Sequence, residues 1–251
     1  NRDGKLHLDP FEPDNSLTMV GVLKAEDWDG VVYTYVFNHQ EKTITDDTAE
    51  KRLQEMLDKT TLLVGHNLQY DLQWLWATGF KYDGDIYDTM LGDYILQRGQ
   101  KGSVSLENSA IRHKLPLQKS DTLKSYFSRG FQTDEIPLDE LTKYLEQDLY
   151  VTRSLYWVLE DLYEEPESKS LVKVRDITNK VAKTLAKMYM NGFAVDKKVL
   201  TEVKKDFEDE LLDIENRLNA HVKNLMGDTP INLNSPEQVS QVIYSRILHD
   251  K

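Results

Sequence analysis

The sequence predicts an α/β layer domain followed by an all-helical segment. Three observations carry this. In the front half, short apolar runs alternate with amphipathic stretches, which is the pattern of strands and helices in layers. An acidic, proline-bearing connector, Glu164-Glu165-Pro166-Glu167-Ser168, then interrupts the chain. Beyond it, apolar residues recur only at helical spacings of three and four.

Taken in order, residues 1–16 are polar and carry Gly4, Pro10 and Pro13, so a loop is expected. Leu17 to Leu23 and Val31 to Phe37 read as two strands joined by a polar turn around Asp27 to Gly30. Thr48 to Leu57 is an amphipathic helix leading into a buried strand at Thr61 to Val64. A helix with Leu68, Leu72 and Leu75 on one face follows, then the short strand Ile86 to Thr89 and a helix over Met90 to Leu96, with Asp88 as its N-cap. Pro137 is placed to start a long helix at its first position, running past Trp157 to Leu162.

After the connector, Val174, Ile177, Val181, Leu185 and Met188 form one narrow seam, and Leu200 through Leu225 form another after a turn at Asn191-Gly192. Such seams predict an antiparallel helical hairpin. Ser235-Pro236-Glu237-Gln238 then opens a further helix, with serine at the cap and proline at N1. The expected domains are 1–163 and 168–251.

Composition bounds the function. A 251-residue chain with 39% apolar and 29% charged residues is a soluble globular type with ample core. The lack of cysteine excludes a disulfide framework and any thiolate metal site, and fits a reducing compartment. No apolar run reaches the roughly 18 residues of a membrane span, and no signal peptide is visible. A cytoplasmic protein with no membrane partner is the expectation. The formal charge of −12 argues against a generally basic nucleic-acid surface. Residues 1–160 hold 17 basic and 27 acidic side chains, against 14 and 16 in 161–251. An acidic front half fits carboxylates gathered around divalent cations, and equally a solvated acidic surface.

The chemistry centres on Gly65 to Trp76. Asp71 lies one residue before Leu72 and four before Leu75, on or beside the apolar face of its helix. A carboxylate there needs compensation, from the helix N-terminus, a basic neighbour or a metal ion. In the long helix, Leu141, Leu145, Leu149, Thr152 and Leu155 make a stripe, with Tyr144 and Asp148 four residues apart along its edge. Two half-buried aspartates on two helices suggest a shared cation.

Asn67-Leu-Gln-Tyr-Asp71 on a helix after a strand, then Tyr144-x-x-x-Asp148, resembles the second and third motifs of the four-carboxylate 3′→5′ exonucleases. With the aspartates 77 positions apart and a thumb-like Asn-Leu-Asn-Ser-Pro-Glu-Gln stretch behind them, the order of parts is similar to a family-A DNA polymerase of bacterial or phage type. The resemblance implies a ribonuclease-H-like exonuclease fold followed by the base of a polymerase thumb. It implies Asp71 and Asp148 as ligands of two Mg²⁺ or Mn²⁺ ions, and Tyr144 as the group orienting the attacking water. It implies that Asn67 and Tyr70 contact the DNA strand, on single-stranded and primer-template DNA, with the rest of the polymerase (palm and fingers) as partner.

The family's first motif, Asp-x-Glu on a strand, should precede the loop at Gly4 to Asn15; Asp9-Pro-Phe-Glu12 has the wrong spacing and suits a turn. The chain is therefore expected to be a segment of a longer polymerase in DNA replication, its proofreading nuclease impaired and its palm and fingers motifs missing. Two other functions fit the same residues. One is an inactive nuclease fold serving as a scaffold or DNA-binding module. The other is a stand-alone 3′→5′ exoribonuclease, since nothing in these motifs reads the 2′ position.

Each residue also has a plainer reading. Asp71 would be a helix-dipole partner, Tyr144 an amphipathic core tyrosine, Tyr70 a packed tyrosine and Asn67 a helix cap. His66 reads as a loop histidine, Trp74 as core and Trp76 as surface. Lys197, Lys198, Lys204 and Lys205 are interleaved with acidic residues, which suits a solvated face.

Overall fold

The computed structural model describes residues 9–12, 14–26, 30–41, 48–116, 122–228 and 230–244. Strands β1 (Met19–Leu23) and β2 (Val32–Val36) pair antiparallel, with Met19 opposite Val36 and Leu23 opposite Val32. Strands β3 (Leu62–Gly65) and β4 (Asp85–Asp88) pair in parallel, with Leu62 opposite Asp85 and Gly65 opposite Asp88. Among the described residues β1 pairs only with β2, and β3 only with β4. The expected turn around Asp27 to Gly30 lies outside the described residues except for Gly30, as does the start of the N-terminal loop.

Helix α1 (Ala49–Lys59) buries Ala49, Leu53 and Leu57 at the spacing its amphipathic pattern requires. Helix α2 (Leu68–Ala77) joins β3 to β4 and buries Leu68, Leu72 and Leu75. Helix α3 (Thr89–Leu96) follows β4 directly, and α4 (Leu106–Arg112) and α5 (Thr122–Ser128) come next. The long helix α6 (Leu138–Glu164) packs on β1, α3, α4 and β3. Pro137 stands just outside it, one residue before the expected position, with extended backbone at ψ 128°. Its fixed φ suits either place.

Gly21 lets α6 approach β1. A Cβ there would lie 2.7 Å from Leu149 Cδ1 and 2.8 Å from Leu145 Cδ2, so any side chain at this position would push those leucines aside.

Helix α7 (Val172–Asn191) packs against α2, α3 and β4, and its Ala182 and Ala186 are buried in the same core as Leu53, Leu72 and Phe80. Two small residues one turn apart let this helix seat closely on α2. The first compact unit therefore runs to Gly192, whereas the sequence reading divided the chain at 164–168. The acidic connector is a turn between two helices of one unit. Composition marked the turn, and packing decided which side α7 joined.

The seam of α7 read from the sequence is exposed: Ile177 and Met188 show 63% and 61% of their surface.

The second unit, Phe193–Lys251, holds α8 (Lys197–Met226) and α9 (Pro236–Tyr244). Asp196 caps α8, accepting from Lys198 N and Val199 N at 2.9 and 3.2 Å. At about 1.5 Å per residue α8 is about 45 Å long. Its apolar seam, Leu200 through Leu225, is largely exposed, with Phe207 at 67%. Ser235 caps α9 as expected, accepting from Gln238 N, while the Gln238 side chain accepts from Asn232 N.

Candidate active site

A cleft of about 1430 Å³ opens beside α2 and α6. Its walls include β1 and β3, and Asp71, Tyr144 and Asp148 all line it. Tyr70, at 38% exposure, and Trp74 line it too, their rings edge-to-face at 6.5 Å. Trp74 is half-buried in this wall rather than in the core, and Trp76 is half-buried as well, with Lys187 over its ring. The α2 face is broader than the leucine spacing suggested, because α2 separates the cleft from the core shared with α7.

The electrostatics of the two aspartates differ from those of a paired carboxylate in the same protein. Asp93 is buried, and burial alone would raise its pKa. Hydrogen bonds from His113 and Ser109 and the charge of Arg112 hold it below the usual carboxylate range instead. Asp71 and Asp148 have no ion-pair partner among the described residues. Desolvation pushes Asp148 up to about 6, moderated by a hydrogen bond from the Tyr144 hydroxyl. Desolvation likewise pushes Asp71 up to about 7, with the nearby charge of Asp88 adding to it.

By surface area Asp71 is exposed, although protein atoms surround it closely enough to desolvate it. Burial and the Asp148 charge together push the Tyr144 hydroxyl up to about 12, so it is a donor at neutral pH.

The donor set is all oxygen, and no described cationic side chain pairs with it, which fits a hard divalent cation. Two carboxylates are fewer than such an ion takes from a closed protein site. Among the described residues no group of three or more His, Asp or Glu stands ready to hold a metal.

Asn67 occupies the N-cap position of α2 in left-handed conformation, φ 62° and ψ 43°, and its side chain makes no capping bond. The expected cap role for this side chain is therefore not met. The cap comes from Asp88, whose carboxylate accepts from Asn67 N (3.0 Å) and Leu68 N (2.9 Å). Asp88 also caps α3, as the sequence predicted, accepting from Met90 N at 2.9 Å and Leu91 N at 3.4 Å. Its second role was missed because only the parallel pairing of β3 and β4 brings the two helix starts together. His66 is held by Thr89 Oγ1 at 2.9 Å and the Val104 carbonyl at 2.8 Å, and burial keeps its pKa low. The Asp9-to-Glu12 segment is a turn, with Glu12 N bonded to Asp9 O at 3.2 Å.

An α/β layer carrying carboxylates from two helices to one acidic cleft is the architecture of a ribonuclease-H-like exonuclease domain. The family model described as 3′-5′ exonuclease, of the DNA polymerase A type, matches residues 23–164, and the chain belongs to that family. Relatives extend the likeness beyond that domain. The chain is 26% identical to a DNA polymerase I of Synechocystis over 97% of its own length and 24% of the relative's. It is 29% identical to the DNA polymerase I of Aquifex aeolicus over 59% of this chain and 27% of that one. With the DNA polymerase I of Borreliella burgdorferi the identity is 24% over 78% of this chain and 20% of the relative. The chain thus spans about a quarter of the length of the curated relatives it matches. No described helix is long and apolar enough to cross a membrane.

Proposed function

We propose that this chain is the proofreading 3′→5′ exonuclease region, with the start of the thumb, of a family-A DNA polymerase acting in DNA replication. Its substrate is the 3′ end of a single DNA strand frayed from a primer-template, and its partner is the remainder of the polymerase. The observation that carries this reading is the meeting of Asp71, Tyr144 and Asp148 in one cleft, with no cationic side chain among the described residues paired to either carboxylate. The exposed apolar seams of α7 and α8 support a larger assembly, since long apolar faces favour partners over water.

In this reading Asp71 and Asp148 hold divalent cations, which when bound supply a nucleophilic water at neutral pH and charge for the leaving 3′ oxygen. Tyr144, un-ionised at neutral pH and one turn from Asp148, orients the attacking water through its hydroxyl. Tyr70 offers a ring face at the cleft wall for the terminal base, a contact worth roughly 1–3 kcal/mol. Asn67, with its side chain free of the capping bond, is available to the sugar-phosphate backbone. The described residues bring two of the four carboxylates that the mechanism uses, so the activity of this chain alone is low.

Manganese titration followed by electron paramagnetic resonance tests the site. Binding by the chain that is lost in Asp71→Asn/Asp148→Asn is the expected result; equal binding by both would overturn it. Digestion of end-labelled single-stranded DNA and RNA of one sequence then separates substrates. Slow Mg²⁺-dependent loss from the DNA 3′ end is expected. Preference for RNA would favour the exoribonuclease reading, and metal-independent binding unaffected by Asp71→Asn the scaffold reading. Full-rate digestion abolished by Asp71→Ala would refute the low activity.

A further inference from the structure

We infer that Asp88 is a positioning residue for the Asp71 carboxylate, a role that rests on the proposed metal site and lies beyond the capping of its own helix. The parallel pair β3–β4 ends in register at Gly65 opposite Asp88, so both chains leave the sheet at the same level. Each turns at once into a helix whose first amides have no intrahelical acceptor. Those four amides, from Asn67, Leu68, Met90 and Leu91, converge on the one Asp88 carboxylate. At 1% exposure Asp88 has no water to share them with.

Asn67 gives α2 no cap of its own, and its left-handed backbone carries a Cβ penalty that glycine would avoid. The start of α2 therefore depends on a residue from the next strand. Asp71 follows one turn later, and the axial place and rotation of that turn set where its carboxylate stands in the cleft.

A further bond ties the arrangement to α7. The Asp88 backbone N–H donates to Asn179 Oδ1 at 2.9 Å, and Asn179 is 5% exposed. A helix far along the sequence thus fixes the residue that fixes α2. Asp88 touches none of the reacting groups in this account, and acts through the amides it holds.

The test uses the full chain and two readouts, amide hydrogen exchange and Mn²⁺ affinity. Asp88→Ser keeps a good cap for α3 and cannot span to α2. Its expected signature is faster exchange at Asn67 and Leu68 by about tenfold or more, with Met90 and Leu91 little changed. Mn²⁺ affinity should fall about 10- to 100-fold, the usual cost of losing a partner that orients a ligand.

Leu159→Ala, a core change that removes none of these hydrogen bonds, serves as the control for lost stability and should leave Mn²⁺ affinity unchanged. Equal protection and affinity in Asp88→Ser and the unaltered chain would overturn the inference, as would an equal loss of affinity in Leu159→Ala. If Asp88→Ser does not fold, Asn179→Ala is read the same way, with faster exchange at the Asp88 amide and weaker Mn²⁺ binding expected. Should the unaltered chain bind no Mn²⁺, the metal reading fails by itself, and exchange at Asn67 and Leu68 still decides whether Asp88 holds α2.

Discussion

Asp93, Asp71 and Asp148 show at the residue scale how one chain treats desolvated carboxylates in two ways. Arg112 and His113 meet the first, and nothing cationic among the described side chains meets the other two. An uncompensated carboxylate costs stability, and the sign follows from its shift. The folded-state pKa of Asp148 is raised to about 6, above its value in the unfolded chain, so the folded state binds more protons between about pH 4 and 6. Stability falls as pH rises through that window. Asp148→Asn is therefore expected to raise the melting temperature at pH 8 in chelator, with the gain shrinking toward pH 4.5. Added Mg²⁺ should raise the melting temperature of the unaltered chain and not that of the variant. Thermal melts at the two pH values, with and without the ion, check both statements.

Asn67 allows a second prediction at this scale. Its left-handed backbone tolerates asparagine and glycine but not a branched side chain. Asn67→Val should cost about 1–3 kcal/mol in denaturant unfolding, and Asn67→Gly close to nothing. Equal costs would mean that the αL backbone places no demand on the residue.

Among the elements, the contact of α6 with β1 decides where Tyr144 and Asp148 stand. Gly21 lies in that contact, against Leu145 and Leu149, the residues that flank Asp148 on the same helix. Gly21→Val would force backbone or leucine shifts costing about 1–3 kcal/mol. It should also weaken Mn²⁺ binding, because Asp148 rides on the displaced turn. In the core behind that helix, Leu159→Ala removes a fully buried side chain and should cost about 2–5 kcal/mol by chemical denaturation. A loss of metal binding in Gly21→Val without one in Leu159→Ala is the expected contrast.

For the whole molecule, the first compact unit reaches Gly192, past the connector at 164–168. Limited proteolysis is expected to yield a stable fragment ending near Gly192, because α7 is held by Ala182, Ala186 and Asn179 within the first unit. A fragment ending near Glu165 would instead favour the boundary read from composition. The long helix of the second unit was legible in the sequence from its seam, Leu200 through Leu225, because that seam repeats over eight apolar positions. The boundary was harder, since Ala182 and Ala186 lie off the apolar stripe that periodicity picks out, and small residues announce close packing only when the neighbour is known.

Local signals on the chain already contained the elements, the apolar faces of α1, α2 and α8, the cap at Asp88, and the pairing of Tyr144 with Asp148 one turn apart. Each depends on residues within a few positions of one another, where spacing alone determines direction. Tertiary structure decided what depends on distant segments meeting: that Asp71 and Asp148 share a cleft, that Asp88 serves two helices, and that α7 belongs with the first unit. Those facts arise from a parallel strand pair and from helices crossing over glycine and alanine. No pattern of neighbours along the chain contains the distance between its remote parts.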